Sequence, residues 1–432
     1  MHAPRLMIAG THSGCGKTTA FCAVAGALRA RGLTVTPFKC GPDYIDPLFH
    51  AAVCGASGGN ADSYFAGELL APLFAARAKG INLLEGAMGF LDGAGGSEAH
   101  SAKDVARRLS APAVLVVDCR GAARSVLPVL EGFERAGADG FLLNNAGAQT
   151  YAMLAAAWKG RARLYGYLPR LPALPSRHLG LVTAGELPDL AQTLERFARA
   201  AEETVDLDGL LSLAESAPPL DAHLPPLPRL GSFTVAAARD EAFCFWYPEN
   251  VSLFERLGAR FSWFSPLRDE LPPADMVWLS GGYPELYKGR LSANVRLRAQ
   301  LRAQAARGVP VYAECGGFLY LLEALDGVPM AGLLSGSAHT TSSSVRFGYA
   351  EFTARRDCIF AKRGDVLRGH EFHYCEAEDA GNALLARGRA GERACFRAEG
   401  SIAAGFPHLY FYSNTDCAVR LCQSALRAKE ER

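Results

Sequence analysis

A short apolar run near the start of the chain leads into a glycine-rich loop and then into a helical segment. Residues 5–9 read RLMIA, the loop from Gly10 to Thr18 reads GTHSGCGKT, and helical periodicity continues to Arg31. Glycines allow backbone N–H groups to curl around phosphate oxygens, and the N-terminus of the following helix adds partial positive charge. This order of strand, loop and helix predicts a phosphate-binding loop on a parallel α/β sheet.

Two side chains of this loop have separate predicted roles. Lys17 would reach the β- and γ-phosphates of a nucleotide, and the Thr18 hydroxyl would hold Mg²⁺. Gly10 and Gly16 are one residue further apart than in the usual form of the motif. The residues expected to bind the nucleotide are Gly10, Thr11, His12, Ser13, Gly14, Cys15, Gly16, Lys17, Thr18 and Thr19.

Carboxylates follow the neighbouring strands at the same predicted sheet edge. Glu85 follows the apolar run INLL, and Asp43 and Asp46 follow the strand LTVTPFK. Ligands of open α/β sheets gather at the carboxyl ends of the strands, so Glu85 and one of the two aspartates are predicted to complete an Mg²⁺ shell with Thr18. The alternative is that these are solvated loop acids. Asp92, in FLDG, is interpreted either as a substrate contact or as a turn residue.

The chain has 432 residues, more than one hydrophobic core usually serves, so two domains are expected. Five prolines between Pro218 and Pro228 predict an extended linker. The alternation of strands and helices restarts after it, with apolar runs at 233–238, 259–264, 276–279 and 309–313. We therefore predict two α/β domains, 1–215 and 231–432, joined by the linker 216–230.

A candidate nucleophile lies in the second half. The strand 309–313 runs into Glu314-Cys315-Gly316-Gly317 and then into a helical segment. A strand, a nucleophile beside small residues and a helix form the sharp turn that exposes a thiol above a sheet edge. Because Cys315 would lie at a helix N-terminus, we expect its pKa to be lowered.

The thiolate needs a base and hydrogen-bond donors for the oxyanion. The candidate bases are His408, His370 and His373, and the last two are as well explained as sheet residues or substrate contacts. Gly281 and Gly282 follow the strand 276–279, and their backbone N–H groups are candidates for an oxyanion hole.

Charge and cysteine usage exclude several classes of function. Lys plus Arg number 45 against 44 for Asp plus Glu, so the chain is not expected to bind nucleic acid as a polyanion. The twelve cysteines form no CxxC pair, which favours neither zinc nor disulfides and suits a reducing cytoplasm. The most apolar stretches are too short for a membrane helix.

Taken together, the motifs resemble the cobyrinic (or hydrogenobyrinic) acid a,c-diamide synthase family over almost the whole chain. The resemblance is carried by AGTHSGCGKTT, FKCGPDYIDP, LLEGAMGFLDG, GYLPR with SRHLGL, ARDEAFCFWYPEN, FSPLRDE, GGYPEL, AECGGFLYL and RGHEFHY. It implies an N-terminal phosphate-loop domain of the dethiobiotin synthetase type and a C-terminal domain like class I glutamine amidotransferases.

The resemblance also implies roles for individual residues. Cys315 would be the glutaminase nucleophile and His408 its base. Amidotransferases of this class often place a glutamate two residues after the histidine, and Tyr410 occupies that position here, so another group must orient His408. Tyr44, Arg177 and the RGHEFHY histidines are candidate corrinoid contacts.

The implied reaction is amidation of the a and c acetate carboxylates of a corrinoid acid through acyl phosphates, with ATP, Mg²⁺ and L-glutamine. One alternative is amidation of a related tetrapyrrole such as nickel sirohydrochlorin. An alternative from a different class of protein is a partition-type ATPase switch. Such ATPases carry a second lysine where this chain has His12, and the predicted Cys315 turn is a further argument against this alternative. A homodimer is one hypothesis for the assembly.

Overall fold

A computed structural model describes residues 1–172, 174, 190–389 and 391–431, so Arg177 lies outside the described residues. Contacts divide the chain into two compact units, Met1–Leu224 and Pro225–Arg432, and the division falls within the predicted linker. Residues 216–232, all of which are described, contain no helix or strand. Each unit is described separately below.

The first unit alternates strands with helices. Its strands are β1 (Arg5–Gly10), β2 (Val35–Lys39), β3 (Gly59–Asn60), β4 (Ile81–Glu85), β5 (Ala113–Asp118), β6 (Gly140–Asn144) and β7 (Arg163–Leu168). Its helices are α1 (Lys17–Ala30), α2 (Asp46–Cys54), α3 (Ser63–Ala66), α4 (Leu70–Arg77), α5 (Ala102–Leu109), α6 (Leu127–Arg135), α7 (Ala148–Ala157), α8 (Leu190–Thr204) and α9 (Leu207–Glu215).

The strands of the first unit form a parallel sheet in the order β3-β2-β4-β1-β5-β6-β7. The central strands are buried because their side chains are almost all apolar, as expected for a parallel sheet covered on both faces. β1 pairs in parallel with β4 on one side and with β5 on the other, so β2 to β4 lie on one side of β1 and β5 to β7 lie on the other. The carboxyl ends of β1, β2, β4 and β6 share one edge, where ligands of such sheets bind.

The second unit has more strands. They are β8 (Phe233–Ala238), β9 (Ala259–Phe264), β10 (Met276–Leu279), β11 (Val311–Glu314), β12 (Ala324–Leu325), β13 (Val328–Pro329), β14 (Ser337–Thr340), β15 (Arg346–Ala354), β16 (Val366–His373), β17 (Cys375–Ala377), β18 (Leu384–Gly388), β19 (Gly391–Cys395), β20 (Arg397–Glu399), β21 (Ile402–Gly405) and β22 (His408–Tyr410). The helices are α10 (Pro248–Arg256), α11 (Pro284–Ala293), α12 (Val295–Ala306), α13 (Gly316–Leu321) and α14 (Thr415–Glu430).

The main sheet of the second unit has the order β20-β21-β11-β10-β8-β9 and is parallel except for β20. A second sheet runs β13-β12-β14-β17, and an antiparallel sheet runs β19-β18-β15-β16-β22. In the antiparallel sheet His370 of β16 lies opposite His408 of β22. The α/β class predicted for both halves is confirmed, whereas the antiparallel sheet was not predicted as a unit. No helix among the described residues has the length and apolar character needed to cross a membrane.

Candidate active sites

The glycine-rich loop of the first unit connects β1 to α1 with little room for side chains. Gly16 has φ of 95°, and a Cβ at this position would lie 2.1 Å from Asn144 Nδ2. Asn144, at the end of β6, donates through that nitrogen to the Cys15 carbonyl at 2.8 Å. Glycine is therefore required both by the left-handed backbone and by the approach of Asn144.

Within this loop, His12, Ser13 and Gly14 are exposed, whereas Cys15 is fully buried in the hydrophobic core. Cys15 can thus contribute only backbone atoms to a nucleotide. Lys17 is buried, its Nζ donates to the His12 carbonyl at 3.3 Å, and burial lowers its pKa. A glycine cradle with a lysine folded against it fits the phosphates of a nucleotide.

A buried polar cluster lies at the ends of β2 and β4, beside the loop. The Thr18 hydroxyl donates to Glu85 Oε1 at 2.7 Å, and Lys39 Nζ lies 3.2 Å from the same oxygen. Lys39 Nζ also lies 2.8 Å from Asp46 Oδ2, and His50 Nε2 lies 2.5 Å from Glu85 Oε2. One edge of the sheet thus gathers a hydroxyl, two carboxylates and a cation.

Electrostatics keeps this cluster ionised despite its burial. Burial opposes ionisation of Glu85, but Lys39 and the hydrogen bond to His50 outweigh it, and the pKa of Glu85 is lowered. Burial likewise favours neutral Lys39, but Asp46 and Glu85 raise its pKa above the ordinary value. The carboxylate and hydroxyl oxygens of this buried cluster beside a phosphate loop are the kind of ligand that Mg²⁺ accepts.

The other residues predicted for this site have identifiable local contacts. Asp43 Oδ1 accepts from the backbone N–H groups of Ile45 and Asp46 at 2.8 and 3.1 Å, which places it at the start of α2. Tyr44 is buried. Asp92 Oδ2 accepts from the Gly89 N–H at 2.9 Å, as in the turn interpretation.

No group of three or more His, Cys, Asp or Glu side chains that could hold a metal ion occurs in the described part of the chain. The metal role of Asp43, Asp46, Glu85 and Thr18 therefore stays a prediction, and so does the substrate role of Asp92.

In the second unit, Cys315 lies at the sharp turn between β11 and α13. Its φ of 46° is in the left-handed region, a strained conformation for a side chain other than glycine. Close packing requires the next two glycines: a Cβ on Gly316 would lie 3.0 Å from Gly282 N, and one on Gly317 would lie 2.3 Å from the Leu279 carbonyl oxygen. The strand–nucleophile–helix turn is therefore present, and it packs against the glycines that follow β10.

The expected lowering of the Cys315 pKa is wrong in this structure. Burial, followed by Glu285, raises the pKa of the thiol well above its ordinary value, and the hydrogen bond from the Gly316 N–H opposes this only in part. The following helix, α13, spans six residues, and its N-terminus does not outweigh burial. The resting thiol is protonated, so the reaction requires a base to remove that proton.

His408 lies in β22 and is almost completely buried. A Cβ on Gly281 would lie 2.3 Å from His408 Cε1 and 3.2 Å from Nε2, so the ring packs onto Gly281, one of the two predicted oxyanion-hole residues. Burial, aided by His370 and His373, lowers the pKa of His408 well below its ordinary value. A neutral imidazole can accept a proton, as a general base must.

The other two candidate histidines have structural contacts. The His370 ring stacks on His408 at a centroid distance of 4.9 Å, and its Nδ1 lies 2.9 Å from the Tyr247 hydroxyl oxygen. His373 Nδ1 donates to the Cys375 carbonyl at 2.8 Å, and its ring stacks on Phe406 at 3.8 Å. Burial lowers the pKa of His370 to about 3 and that of His373 to about 4, so both rings are neutral.

Three residues of these sites were not singled out from the sequence. Asn144 ends β6 at the loop edge, and its position after an apolar run was a usable signal. Glu314 follows the apolar run 309–313 and offered the same signal, although its partner His408 was not evident from the sequence. His50 had no such signal, because it reaches Glu85 from within α2.

Comparisons with known proteins agree with this division of chemistry. Residues 6–211 match the model of the CobQ/CobB/MinD/ParA nucleotide binding domain, and residues 234–416 match that of the CobB/CobQ-like glutamine amidotransferase domain. The chain is thus a glutamine-dependent amide ligase, with a nucleotide-binding domain and an amidotransferase domain.

Relatives identify the family. The chain is 34% identical to cobyrinate a,c-diamide synthase of Thermoplasma volcanium over 100% of this chain and 99% of the relative. It is 40% identical to the Salmonella typhimurium protein of that name over 86% and 85%. It is 39% identical to hydrogenobyrinate a,c-diamide synthase of Mesorhizobium japonicum over 88% and 91%. This chain belongs to the cobyrinate a,c-diamide synthase family.

Proposed function

We propose that the chain converts the a and c acetate carboxylates of cobyrinic or hydrogenobyrinic acid to amides in cobalamin biosynthesis, using ATP and glutamine. The observation that carries the proposal is the combination of a phosphate loop and ionised cluster in one unit with the Cys315 turn in the other, where the buried His408 ring packs on Gly281. The names of the relatives supply the corrinoid substrate.

The glutaminase step uses groups of the second unit. His408 takes the proton of Cys315, and the sulfur attacks the side-chain amide carbon of glutamine. The backbone N–H groups of Gly281 and Gly282 stabilise the oxyanion. Collapse of the tetrahedral intermediate releases ammonia, which takes up the proton, and water then hydrolyses the thioester to glutamate.

The ligase step uses the first unit. The γ-phosphoryl group of ATP passes to an acetate carboxylate, forming an acyl phosphate and ADP, and Lys17 stabilises the charge in transfer. Ammonia then displaces phosphate and leaves the amide. Thr18 and Glu85, with Asp46 or Asp43, would hold Mg²⁺, which neutralises phosphate charge when bound.

Mass spectrometry tests the reaction and its substrate together. The protein is incubated with ATP, Mg²⁺ and glutamine and with cobyrinic acid, hydrogenobyrinic acid or nickel sirohydrochlorin in separate reactions. Two carboxyl-to-amide conversions on one corrinoid are expected, and they require both ATP and a nitrogen source. Conversion of nickel sirohydrochlorin alone would contradict the corrinoid assignment, and no conversion of any pigment would contradict the ligase.

We also propose that the protein works in the cytoplasm without nucleic acid or membrane. All twelve cysteines are unbridged, which fits a reducing compartment, and the net charge of +1 gives no general attraction for a polyanion. A homodimer is the assembly hypothesis, and light scattering of the purified chain tests it.

A further inference from the structure

A buried carboxyl group faces the histidine of the glutaminase site. We propose that Glu314 is the positioning residue for His408, replacing the glutamate that related enzymes carry two residues after the histidine. Glu314 Oε2 lies 3.8 Å from His408 Nδ1, and both side chains are almost completely buried. The inference rests on the proposed glutaminase function and deepens it.

The fold brings these residues together although 94 positions separate them in the chain. Glu314 ends β11 and immediately precedes the nucleophile, and it pairs in parallel register with Gly405 of β21. The chain then leaves β21 and enters β22 at His408. Glu314, Cys315 and His408 therefore lie at, or a few residues after, the carboxyl ends of the adjacent strands β11 and β21.

The Glu314 carboxyl group is held in place by two donors on one oxygen. Oε1 accepts from the Tyr312 hydroxyl at 2.7 Å and from the Leu409 N–H at 3.0 Å. Both bonds use Oε1, so the carboxyl plane is fixed with Oε2 towards His408. Leu409 directly follows His408, and its bond ties the backbone of the base to the same carboxyl group.

The contact between Glu314 and His408 influences which ring nitrogen of the histidine carries the proton. A carboxyl oxygen beside Nδ1 favours the imidazole tautomer with its proton on Nδ1, which leaves Nε2 to accept the Cys315 proton. The S–H bond breaks, an Nε2–H bond forms, and the carboxylate stabilises the imidazolium until that proton leaves with ammonia. Catalytic contacts are often long in a resting enzyme and shorten when substrate binds, so the 3.8 Å separation suits this role.

Two neighbouring residues, Tyr410 and Glu371, do not supply a carboxyl group for this role. Tyr410 carries no carboxyl group, and its ring packs against Tyr247 at a centroid distance of 5.5 Å. Glu371, in β16, is paired with Arg393. Burial raises the pKa of Glu314 to about 7, against the hydrogen bonds from Tyr312 and Leu409, so the carboxylate that this role requires is present near and above neutral pH.

The variant Glu314→Gln isolates this role. Its amide oxygen can still accept from Tyr312 and Leu409, but its NH₂ group then faces Nδ1 and favours the wrong tautomer. We expect glutamine-dependent kcat to fall about 10²- to 10⁴-fold, by analogy with loss of the acid from a serine protease triad. KM for glutamine, ammonia-dependent amidation of cobyrinic acid and the melting temperature should stay near their wild-type values.

Glu376→Gln is the matched control, because it makes the same substitution in an exposed carboxyl group of the same unit that lies 3.7 Å from His339 Nε2. Its glutamine-dependent kcat should stay within a few-fold of wild type. If Glu314→Gln keeps wild-type kcat, or if Glu376→Gln loses as much, the positioning role is overturned.

Should Glu314→Gln fail to fold, Glu314→Asp gives the second measurement. It keeps a carboxyl group one methylene further from Nδ1, so its kcat should fall while some glutamine-dependent turnover remains; a wild-type kcat, or no turnover in a folded protein, overturns the role. Failure of wild-type protein to amidate with either nitrogen source would instead contradict the proposed function.

Discussion

The two candidate sites are both buried, but they differ in the charge that they carry at rest. The site of the first unit is buried but ionised, because Lys39 lies between the carboxylates of Asp46 and Glu85. The site of the second unit is equally buried but neutral at rest, since burial raises the pKa of Cys315 and lowers that of His408.

This difference follows from the two chemistries. Phosphoryl transfer begins with charged reactants, so a site that handles it gains from fixed charges of both signs. Amide hydrolysis begins with a neutral substrate, and its charges arise only when the proton moves from sulfur to nitrogen. A neutral buried pair avoids the cost of isolated charges until then. Variants that affect one unit alone should therefore separate the two half-reactions.

Cys315→Ser should have the largest effect on amidation, and the effect should be confined to the glutamine-dependent reaction. We expect glutamine-dependent amidation to fall about 10⁴-fold or more, because the weaker hydroxyl nucleophile cannot replace the thiol. Amidation with added ammonia should survive, because the first unit is untouched. The measurement is amide formation by mass spectrometry with each nitrogen source. The half-buried Cys358→Ser is the control and should retain both rates; loss of the ammonia reaction in Cys315→Ser would contradict a two-site division.

Lys17→Ala should lose amidation with both nitrogen sources. Removing a preorganised cation from a transferring phosphoryl group costs about 10²- to 10³-fold in rate. The same amide assay measures the loss. Lys159→Ala removes an exposed lysine of the same unit and should change neither rate. An active Lys17→Ala protein would refute the phosphate role of this side chain.

Gly16→Ala should weaken ATP binding about 10- to 100-fold, because its Cβ would strike Asn144 Nδ2 in addition to straining a left-handed backbone. Gly14→Ala is the matched control, with φ of 83° and no atom within 4 Å of the added Cβ. It carries the backbone strain alone, about 1–2 kcal/mol. Titration calorimetry with ATP compares the two variants, and equal losses would show that Asn144 does not shape the loop.

The sequence predicted the positions of these sites better than their electrostatics. The strands 233–238, 259–264 and 276–279 were predicted to the residue, because runs rich in apolar and aromatic residues between turn residues mark strands. The strand-end rule also placed Glu85 at the edge where it meets Thr18. The alternation of strands and helices along the chain determines which residues reach this sheet edge, so the sequence alone can predict such contacts.

Other features depend on packing between distant segments. His50 reaches Glu85 from α2, and Glu314 at the end of β11 reaches His408 of β22 in a different sheet, neither at a spacing that periodicity encodes. The shift of the Cys315 pKa was expected with the wrong sign, because a helix terminus is visible in the sequence whereas burial of the thiol is not. The pairing of β16 with β22 likewise depends on antiparallel register.

Lys39→Met should destabilise the first unit by about 3–5 kcal/mol, because removing one partner leaves buried carboxylates without their cation. Arg31→Ala is the comparison: Arg31 pairs with Glu202 and Asp208 at the surface of the same unit, where such pairs contribute about 0–1 kcal/mol. Denaturant unfolding measures both. Equal free energies of unfolding for the two variants would contradict the ionised description of the first site.

The last expected effect is a loss of stability of the second unit in acid. The pKa of His370 is about 3 in the folded protein, below its ordinary value, so between the two values the unfolded chain binds a proton that the folded chain does not. The free energy of unfolding should therefore fall by about 3 kcal/mol from pH 7 to pH 4 on account of this ring. Unfolding followed by tryptophan fluorescence at each pH should show a shallower slope in His370→Asn and an unchanged slope in His339→Asn, whose ring is exposed. An unchanged slope in His370→Asn would mean that this ring does not titrate as buried, and the neutrality of the second site would then have to come from His408 and Cys315 alone.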